Sequence, residues 1–384
     1  MFGKGSSKCR IDGHGLYVHV PFCRTKCRYC SFYSVPIAEY DTGVLVDAMI
    51  AEMERYELGR NVKTLYIGGG SPSSLTHEHL LRLVSEAARR CPAVEEFTVE
   101  VNPGQVDKGL LCQLQTGGVN RLSIGAQSFI QLELDFLGRG HTVGCIREAV
   151  QQARTAGFDN ISLDLIFAIP GAELDSWKYN LQAAAALAVE HISAYSLTYE
   201  DGTALKRDLA ASLIEAVDED TERAMYELTI DELAKAGLDQ YEISNFARGS
   251  FECRHNLNYW ANGSYAGIGP GATSYLQGTR STNSADISKY TEAVTSGTSA
   301  VAESETLGGF ERACETAVLN LRRRCGIDLV EFKRRTGFDA MQLFAEPIRT
   351  YRKLGLIKKD RGRIFLERAA MGIADSILCD FAIV

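Results

Sequence analysis

Six short runs of β-branched and apolar residues, at 16–20, 64–67, 96–101, 121–124, 161–167 and 191–197, recur through the chain with amphipathic stretches between them. The stretches at 44–58, 75–90, 143–156, 177–188 and 221–236 carry apolar residues three and four apart, the spacing of helices that cover a sheet, and Gly157 and Gly237 end two of them. Strands that alternate with helices run parallel, and right-handed crossovers leave two economical architectures: an open doubly wound sheet or an incomplete barrel of the TIM type. Periodicity alone does not choose between them. In both, the loops that carry chemistry leave the C-terminal ends of strands, and the cysteine-rich loop after Phe22, the triplet Gly68-Gly69-Gly70 and Asn102-Pro103 all follow strands directly.

After about residue 250 the pattern changes to a Gly-rich loop at 259–278 and helical stretches at 287–294, 310–323, 329–335 and 341–354. A hairpin is expected next, from strands at 355–359 and 363–367 around Asp360-Arg361-Gly362. Helices followed by a hairpin predict a winged-helix-like domain. The expected division is therefore a core at 1–250, a connecting segment at 251–309 and a winged-helix-like domain at 310–384. Net charge is −8, which gives the whole chain no attraction to nucleic acid. Between residues 322 and 363, however, thirteen Lys or Arg face five Asp or Glu, so the C-terminal region is locally basic. A solvated basic face explains that run without a nucleic-acid partner, and none is expected.

No stretch reaches the ~18 apolar residues of a membrane span, and the N-terminal eleven residues lack an apolar signal core. A cytoplasmic protein is expected, and its 11 cysteines then point to metal or redox use rather than a disulfide framework. Cys23, Cys27 and Cys30 crowd into eight residues, whereas Cys91, Cys112 and Cys145 are scattered and read as buried thiols. Three thiolates suit a cubic iron-sulfur cluster that keeps one iron open for chemistry. A structural zinc site needs a fourth ligand, for which His19 or Cys9 would serve.

The C-x3-C-x2-C spacing after Tyr17-Val18-His19-Val20-Pro21-Phe22 resembles the radical S-adenosylmethionine (SAM) superfamily. That resemblance implies an incomplete (β/α)6 TIM-type barrel and a [4Fe-4S] cluster on Cys23, Cys27 and Cys30. It also implies that SAM chelates the open iron, where one electron can cleave it to a 5'-deoxyadenosyl radical. The glycine triplet with Ser71 is similar to the superfamily's segment that binds the methionine amine. Carried over residue by residue, the SAM contacts fall on Tyr17, Gly69, Gly70, Ser71, Glu100, Gln127, Arg139 and Asp164.

The similarity covers nearly the whole chain and narrows to the oxygen-independent coproporphyrinogen III dehydrogenase-like family, in particular its heme chaperones of the HemW type. It is carried by Gly118-Val-Asn-Arg-Leu-Ser-Ile-Gly125, Leu137-Gly-Arg-Gly-His141, His191-Ile-Ser-Ala-Tyr195, Tyr241-Glu-Ile-Ser-Asn-Phe246 and Gly267-Ile-Gly-Pro-Gly271, among other phrases. Dehydrogenases of the family have a further cysteine two residues after the triad, where this chain has Phe32. His255-Asn256-x-x-Tyr259-Trp260 resembles the segment implicated in heme binding in the chaperones, which implies His255 as an iron ligand and Tyr259 and Trp260 as heme contacts. Cys253 is a further candidate ligand, and Thr273 stands where relatives carry histidine.

Two readings follow. In the first, the chain binds heme, a cluster and SAM and transfers heme to acceptor hemoproteins. In the second, it is a radical SAM enzyme acting on a porphyrin or heterocycle, as a coproporphyrinogen dehydrogenase or a methyltransferase. The resemblance also implies a homodimer, and peripheral membrane association is compatible with the chaperone reading.

Overall fold

The protein is described by a computed structural model that covers residues 9–10 and 15–382. The leading stretch read for a signal core, and the side chain of Cys9, lie outside the described residues.

All six expected strands form: β1 Gly15–Val20, β2 Thr64–Gly69, β3 Glu96–Val101, β4 Arg121–Gln127, β5 Ile161–Phe167 and β6 His191–Ser196. β1 pairs in parallel with β2, β2 with β3 and β3 with β4. Along these strands apolar residues alternate with the more polar Tyr17, His19, Thr98, Glu100, Ser123 and Asp164. Leu16, Val18 and Val20 of β1, Leu65 and Ile67 of β2, and Phe97 and Val99 of β3 are fully buried. The covering helices begin where the sequence offers caps: Asp41 accepts from the N–H groups of Gly43 and Val44, Thr76 from His79, and Asp218 from Thr221.

The chain folds as two compact units, each assembled from three separate stretches. The first comprises residues 1–164, 198–214 and 264–305. Here the expected Gly-rich loop contains two strands. Tyr265–Ile268 pairs in parallel with β1 on the side away from β2, and Thr273–Leu276 and Thr279–Asn283 follow as antiparallel neighbours. Glycine there hid a strand: a Cβ on Gly267 would lie 2.2 Å from the Thr273 carbonyl oxygen, so the turn back demands a bare backbone. A buried carboxylate fastens these strands to helix Thr42–Met53. Glu52 accepts from the Gly269 N–H at 2.8 Å, the Asn283 amide at 2.8 Å and the Tyr290 hydroxyl at 2.6 Å.

The second unit comprises residues 165–197, 215–263 and 306–384. Helices Leu174–Ala185 and Glu219–Lys235 pack together, with the Trp177 indole N–H donating to the Thr229 hydroxyl at 2.9 Å. β6 pairs antiparallel with Asn245–Ala247. The C-terminal part runs helix Gly309–Leu321, strand Ile327–Asp328, helix Leu329–Thr336, helix Ala340–Leu343, helix Ala345–Lys353 and the hairpin Ile357–Asp360 with Arg363–Leu366. Its three strands are ordered 327–328, 363–366, 357–360, a winged-helix-like arrangement. The single helix expected at 341–354 is broken at Phe344, which is fully buried and turns its ring toward Phe332 and Phe381. Among the described residues no helix is long and apolar enough to cross a membrane.

Candidate functional site

The cysteine loop is held at both ends. Phe22–Cys23 pairs in parallel with Val35–Pro36, and the Val35 N–H donates to the Pro21 carbonyl at 2.7 Å. Between Cys27 and Cys30, Arg28 clamps the loop. Its backbone N–H donates to the Leu137 carbonyl at 3.1 Å, and its guanidinium donates to the Phe136 carbonyl at 2.8 Å and to Asp208 at 2.5 Å. Its own carbonyl accepts from the Leu205 N–H at 3.0 Å. Arg28 thereby satisfies carbonyls that helix Gln131–Leu137 leaves unpaired at its C-terminus.

The three thiols are free and half-buried. Burial pushes the thiols of Cys23 and Cys30 upward, and the neighbouring cysteines add to that rise. A cation bound among them reverses this balance by stabilising thiolates. The zinc alternative loses its nearby ligand, because both nitrogens of His19 are engaged. Nε2 lies 3.1 Å from the Tyr33 carbonyl, which can only accept, so Nε2 carries the proton and Nδ1 accepts from the Tyr17 hydroxyl at 2.9 Å. Among the described residues no three His, Cys, Asp or Glu side chains gather as a single metal ion would require. Three thiols on one loop can each ligate one iron of a cubane cluster.

Arg139 connects this loop to the strand ends. Its guanidinium reaches the Cys27 sulfur at 3.4 Å, the Gly125 carbonyl at 2.8 Å and the Asn102 side-chain oxygen. The Arg139 Nε is buried without a partner among the described residues, a donor left for a ligand acceptor. Asn102 donates in turn to the Ser71 hydroxyl at 2.9 Å, and Ser71 donates to Gln105 at 3.0 Å. Gln127 closes β4 in the left-handed region, at φ +67°, a strained conformation for a residue with a side chain.

Glu100 faces the glycine triplet. Its carboxylate accepts from the Tyr66 hydroxyl at 2.8 Å and from the Gly69 N–H at 3.1 Å. Gly69 has φ +117°, and a Cβ there would lie 2.7 Å from the His19 ring, while one on Gly70 would lie 2.7 Å from the Phe22 carbonyl oxygen. Burial pushes the Glu100 carboxyl up to about 7, and Asp164 adds to the rise. Asp164 accepts from the Ser123 hydroxyl at 3.2 Å. Burial also raises the Tyr17 phenol, with Glu100 contributing. Tyr17, Gly69, Gly70, Ser71, Glu100, Gln127, Arg139 and Asp164 all belong to the first unit, which also contains the cysteine loop. A buried carboxyl and an orphaned guanidinium nitrogen fit the ammonium and carboxylate of a methionyl group beside the thiols.

Sequence reasoning missed the parts that hold these groups: Arg28 with Asp208, Tyr66 under Glu100, and the Asn102–Ser71 link. Asn102 carried a signal, since it follows β3 directly, whereas the contact between Arg28 and Asp208 spans 180 residues.

His255, Tyr259 and Trp260 lie in the second unit, on helix Arg254–Trp260. His255 is 1% exposed, and its Nε2 lies 2.8 Å from the Tyr259 hydroxyl. The Trp260 indole nitrogen is buried without an acceptor among the described residues, while the Arg322 guanidinium lies 5.1 Å from the ring centroid. An imidazole, two aromatic rings and an indole N–H that lacks an acceptor fit a porphyrin carrying carboxylates. Cys253 is fully buried, and its backbone N–H donates to the Tyr241 hydroxyl at 3.2 Å. Phe32 is 70% exposed, and the Thr273 hydroxyl is 3.0 Å from that of Thr282.

The radical SAM superfamily matches residues 17–182, and the HemN C-terminal domain matches residues 311–372. Heme chaperone HemW of Lactococcus lactis is 33% identical over 370 residues, which cover 96% of this chain and 97% of the relative. Heme chaperone HemW of Mycobacterium tuberculosis is 35% identical over 363 residues, 92% of this chain and 93% of the relative. The structure of coproporphyrinogen III oxidase (HemN) from Escherichia coli, a radical SAM enzyme, superposes with a TM-score of 0.82 at 20% identity, covering 97% of this chain and 90% of that one. At that identity the likeness shows the fold, a radical SAM fold with a parallel sheet and a C-terminal domain.

Proposed function

The chain belongs to the HemW family of heme chaperones within the radical SAM superfamily, and from that premise we propose that it binds heme and transfers it to acceptor hemoproteins while carrying a [4Fe-4S] cluster and SAM. The observation that supports this reading is the similarity to HemW chaperones over 96% of the chain, which takes in both the cysteine loop and helix 254–260.

Cys23, Cys27 and Cys30 would hold the cluster, which when bound supplies an open iron for SAM and a low-potential electron. The chain's own groups do the rest. Gly69 and Gly70 hold the strand end close against His19 and Phe22 beside the cysteine loop, and the Glu100 carboxylate offers an acceptor to the methionyl ammonium. The Arg139 Nε offers a donor to the methionyl carboxylate, Asp164 an acceptor to ribose hydroxyls, and Ser71, Gln127 and Tyr17 line the same site. His255 would donate an imidazole nitrogen to heme, with Tyr259 and Trp260 against the porphyrin.

Anaerobic reconstitution followed by heme titration and by assay for coproporphyrinogen turnover and 5'-deoxyadenosine tests the reading. Heme uptake and its transfer to an apo-hemoprotein, without porphyrinogen turnover, is the expected result. The second reading, radical SAM catalysis on a porphyrin or heterocycle, is favoured by the completeness of the Glu100, Arg139 and Asp164 arrangement, and substrate-dependent 5'-deoxyadenosine at many turnovers would establish it.

A further inference from the structure

Helix 254–260 holds its histidine closed. His255 and Tyr259 stand four residues apart, one helical turn, and their rings meet edge to face with centroids 4.8 Å apart. The hydroxyl lies 2.8 Å from Nε2. Iron takes an imidazole through a nitrogen lone pair, and in either tautomer Nε2 commits its lone pair or its proton to Tyr259. The nitrogen cannot serve both.

The two ends of the helix are pinned from elsewhere. At its start the Cys253 N–H donates to the Tyr241 hydroxyl at 3.2 Å, and that hydroxyl is 2.8 Å from His191 Nε2. At its end the Asn320 amide donates to the Trp260 carbonyl at 3.2 Å. His255 is buried within this frame, whereas Tyr259 is only half-buried, so the tyrosine is the more accessible member of the pair.

We infer that Tyr259 is a latch on the heme ligand: its hydroxyl occupies His255 Nε2 in the heme-free protein, and iron gains that nitrogen only by displacing it. The inference rests on the reading of His255 as the axial donor. The role belongs to the Tyr259 hydroxyl and leaves its ring available to the porphyrin. A carrier must release what it binds, and an internal competitor that re-closes over the nitrogen as heme leaves favours release. Removing one neutral hydrogen bond changes an equilibrium by about threefold to tenfold.

The test is heme titration, followed at the Soret band, of the anaerobically reconstituted full chain carrying Tyr259→Phe, His255→Ala, or both. The phenylalanine keeps the ring and loses only the hydroxyl. Tyr259→Phe should bind heme about threefold to tenfold more tightly and release it more slowly to an apo-hemoprotein. His255→Ala should weaken binding and shift the Soret band, and the double variant should match His255→Ala, because without the nitrogen there is nothing to unlatch. In the heme-free protein, the Nε2 resonance that His255→Ala removes from a 15N-histidine spectrum should move in Tyr259→Phe. If His255→Ala loses heme while Tyr259→Phe binds as wild type or weaker, the latch is wrong and the ligand assignment stands. If His255→Ala binds heme with unchanged spectrum and affinity, the ligand assignment and the latch both fall.

Discussion

Arg28→Ala should loosen the cysteine loop without unfolding the protein. The substitution removes a charged hydrogen bond to the Phe136 carbonyl, an ion pair with Asp208 and a guanidinium that lies 4.8 Å from the Phe136 ring centroid. The hydrogen bond from a charged donor is worth about 1.5 kcal/mol. The ion pair, with side chains 35% and 27% exposed, adds no more than a few tenths, and the cation–π contact about 0.5 kcal/mol. The two backbone bonds, Arg28 N–H to Leu137 and Leu205 N–H to Arg28, survive. A net loss of about 2 kcal/mol raises the open population of a local segment roughly thirtyfold. Cluster extraction by an iron chelator samples that open population, so the first-order loss of iron from the reconstituted variant should be about thirtyfold faster than from wild type. Asp208→Asn should give a few-fold effect, because it keeps the bond to Phe136. The thermal midpoint should move little, since the clamp secures a loop rather than the core. Extraction within threefold of wild type, from a variant with full cluster content, would refute the reasoning.

Replacing Cys23, Cys27 and Cys30 together by Ala should abolish the charge-transfer absorption of the reconstituted protein, whereas Cys91→Ala should leave it in place; an intact spectrum in the triple variant sinks the assignment. Coproporphyrinogen decarboxylation should be absent, as Phe32 stands where dehydrogenases carry cysteine, and product analysis under anaerobic, reducing conditions with SAM decides it. Glu100 has a folded pKa of about 7 against an ordinary 4.5. The folded protein therefore holds the proton more tightly than the unfolded chain, and the stability this contributes is complete below pH 4.5 and lost as pH rises through 7, about 3 kcal/mol in all. Glu100→Gln should accordingly stabilise the ligand-free protein progressively from pH 5 to pH 8 by calorimetry while weakening SAM binding, and a pH-independent difference would contradict the burial argument.

What could be read from the sequence was what local pattern encodes. The runs at 96–101 and 161–167 became strands with those limits, because alternation and β-branching mark a buried strand without reference to its neighbours. The cysteine spacing marked its own loop. The strand at 265–268 escaped because its Gly-rich surroundings read as loop, and only the close approach of the Thr273 carbonyl, a contact made on folding, explains why Gly267 sits in a strand. The break at Phe344 escaped because a helical periodicity does not show that one ring must turn inward. The approach of Arg28 to Asp208 depends on the chain returning after an excursion through the second unit, which no spacing announces. The pairing of His255 with Tyr259 is a different case. Its four-residue spacing was visible, but the competition it creates became evident only once the hydroxyl was found on Nε2.

The interleaving of the two units sets a timetable for biosynthesis. The cysteines at 23–30 leave the ribosome well before Leu205 and Asp208, which hold Arg28 and follow roughly 180 residues later. The strand at 265–268 that borders β1 comes later still, and the first unit has all its chain only after residue 305. At about 5–20 residues per second, that is roughly 15–60 s during which the thiols are present and their frame is not. Cluster insertion into a nascent chain would therefore meet an unclamped loop, and the order of events that protects the thiols is translation first, metal second.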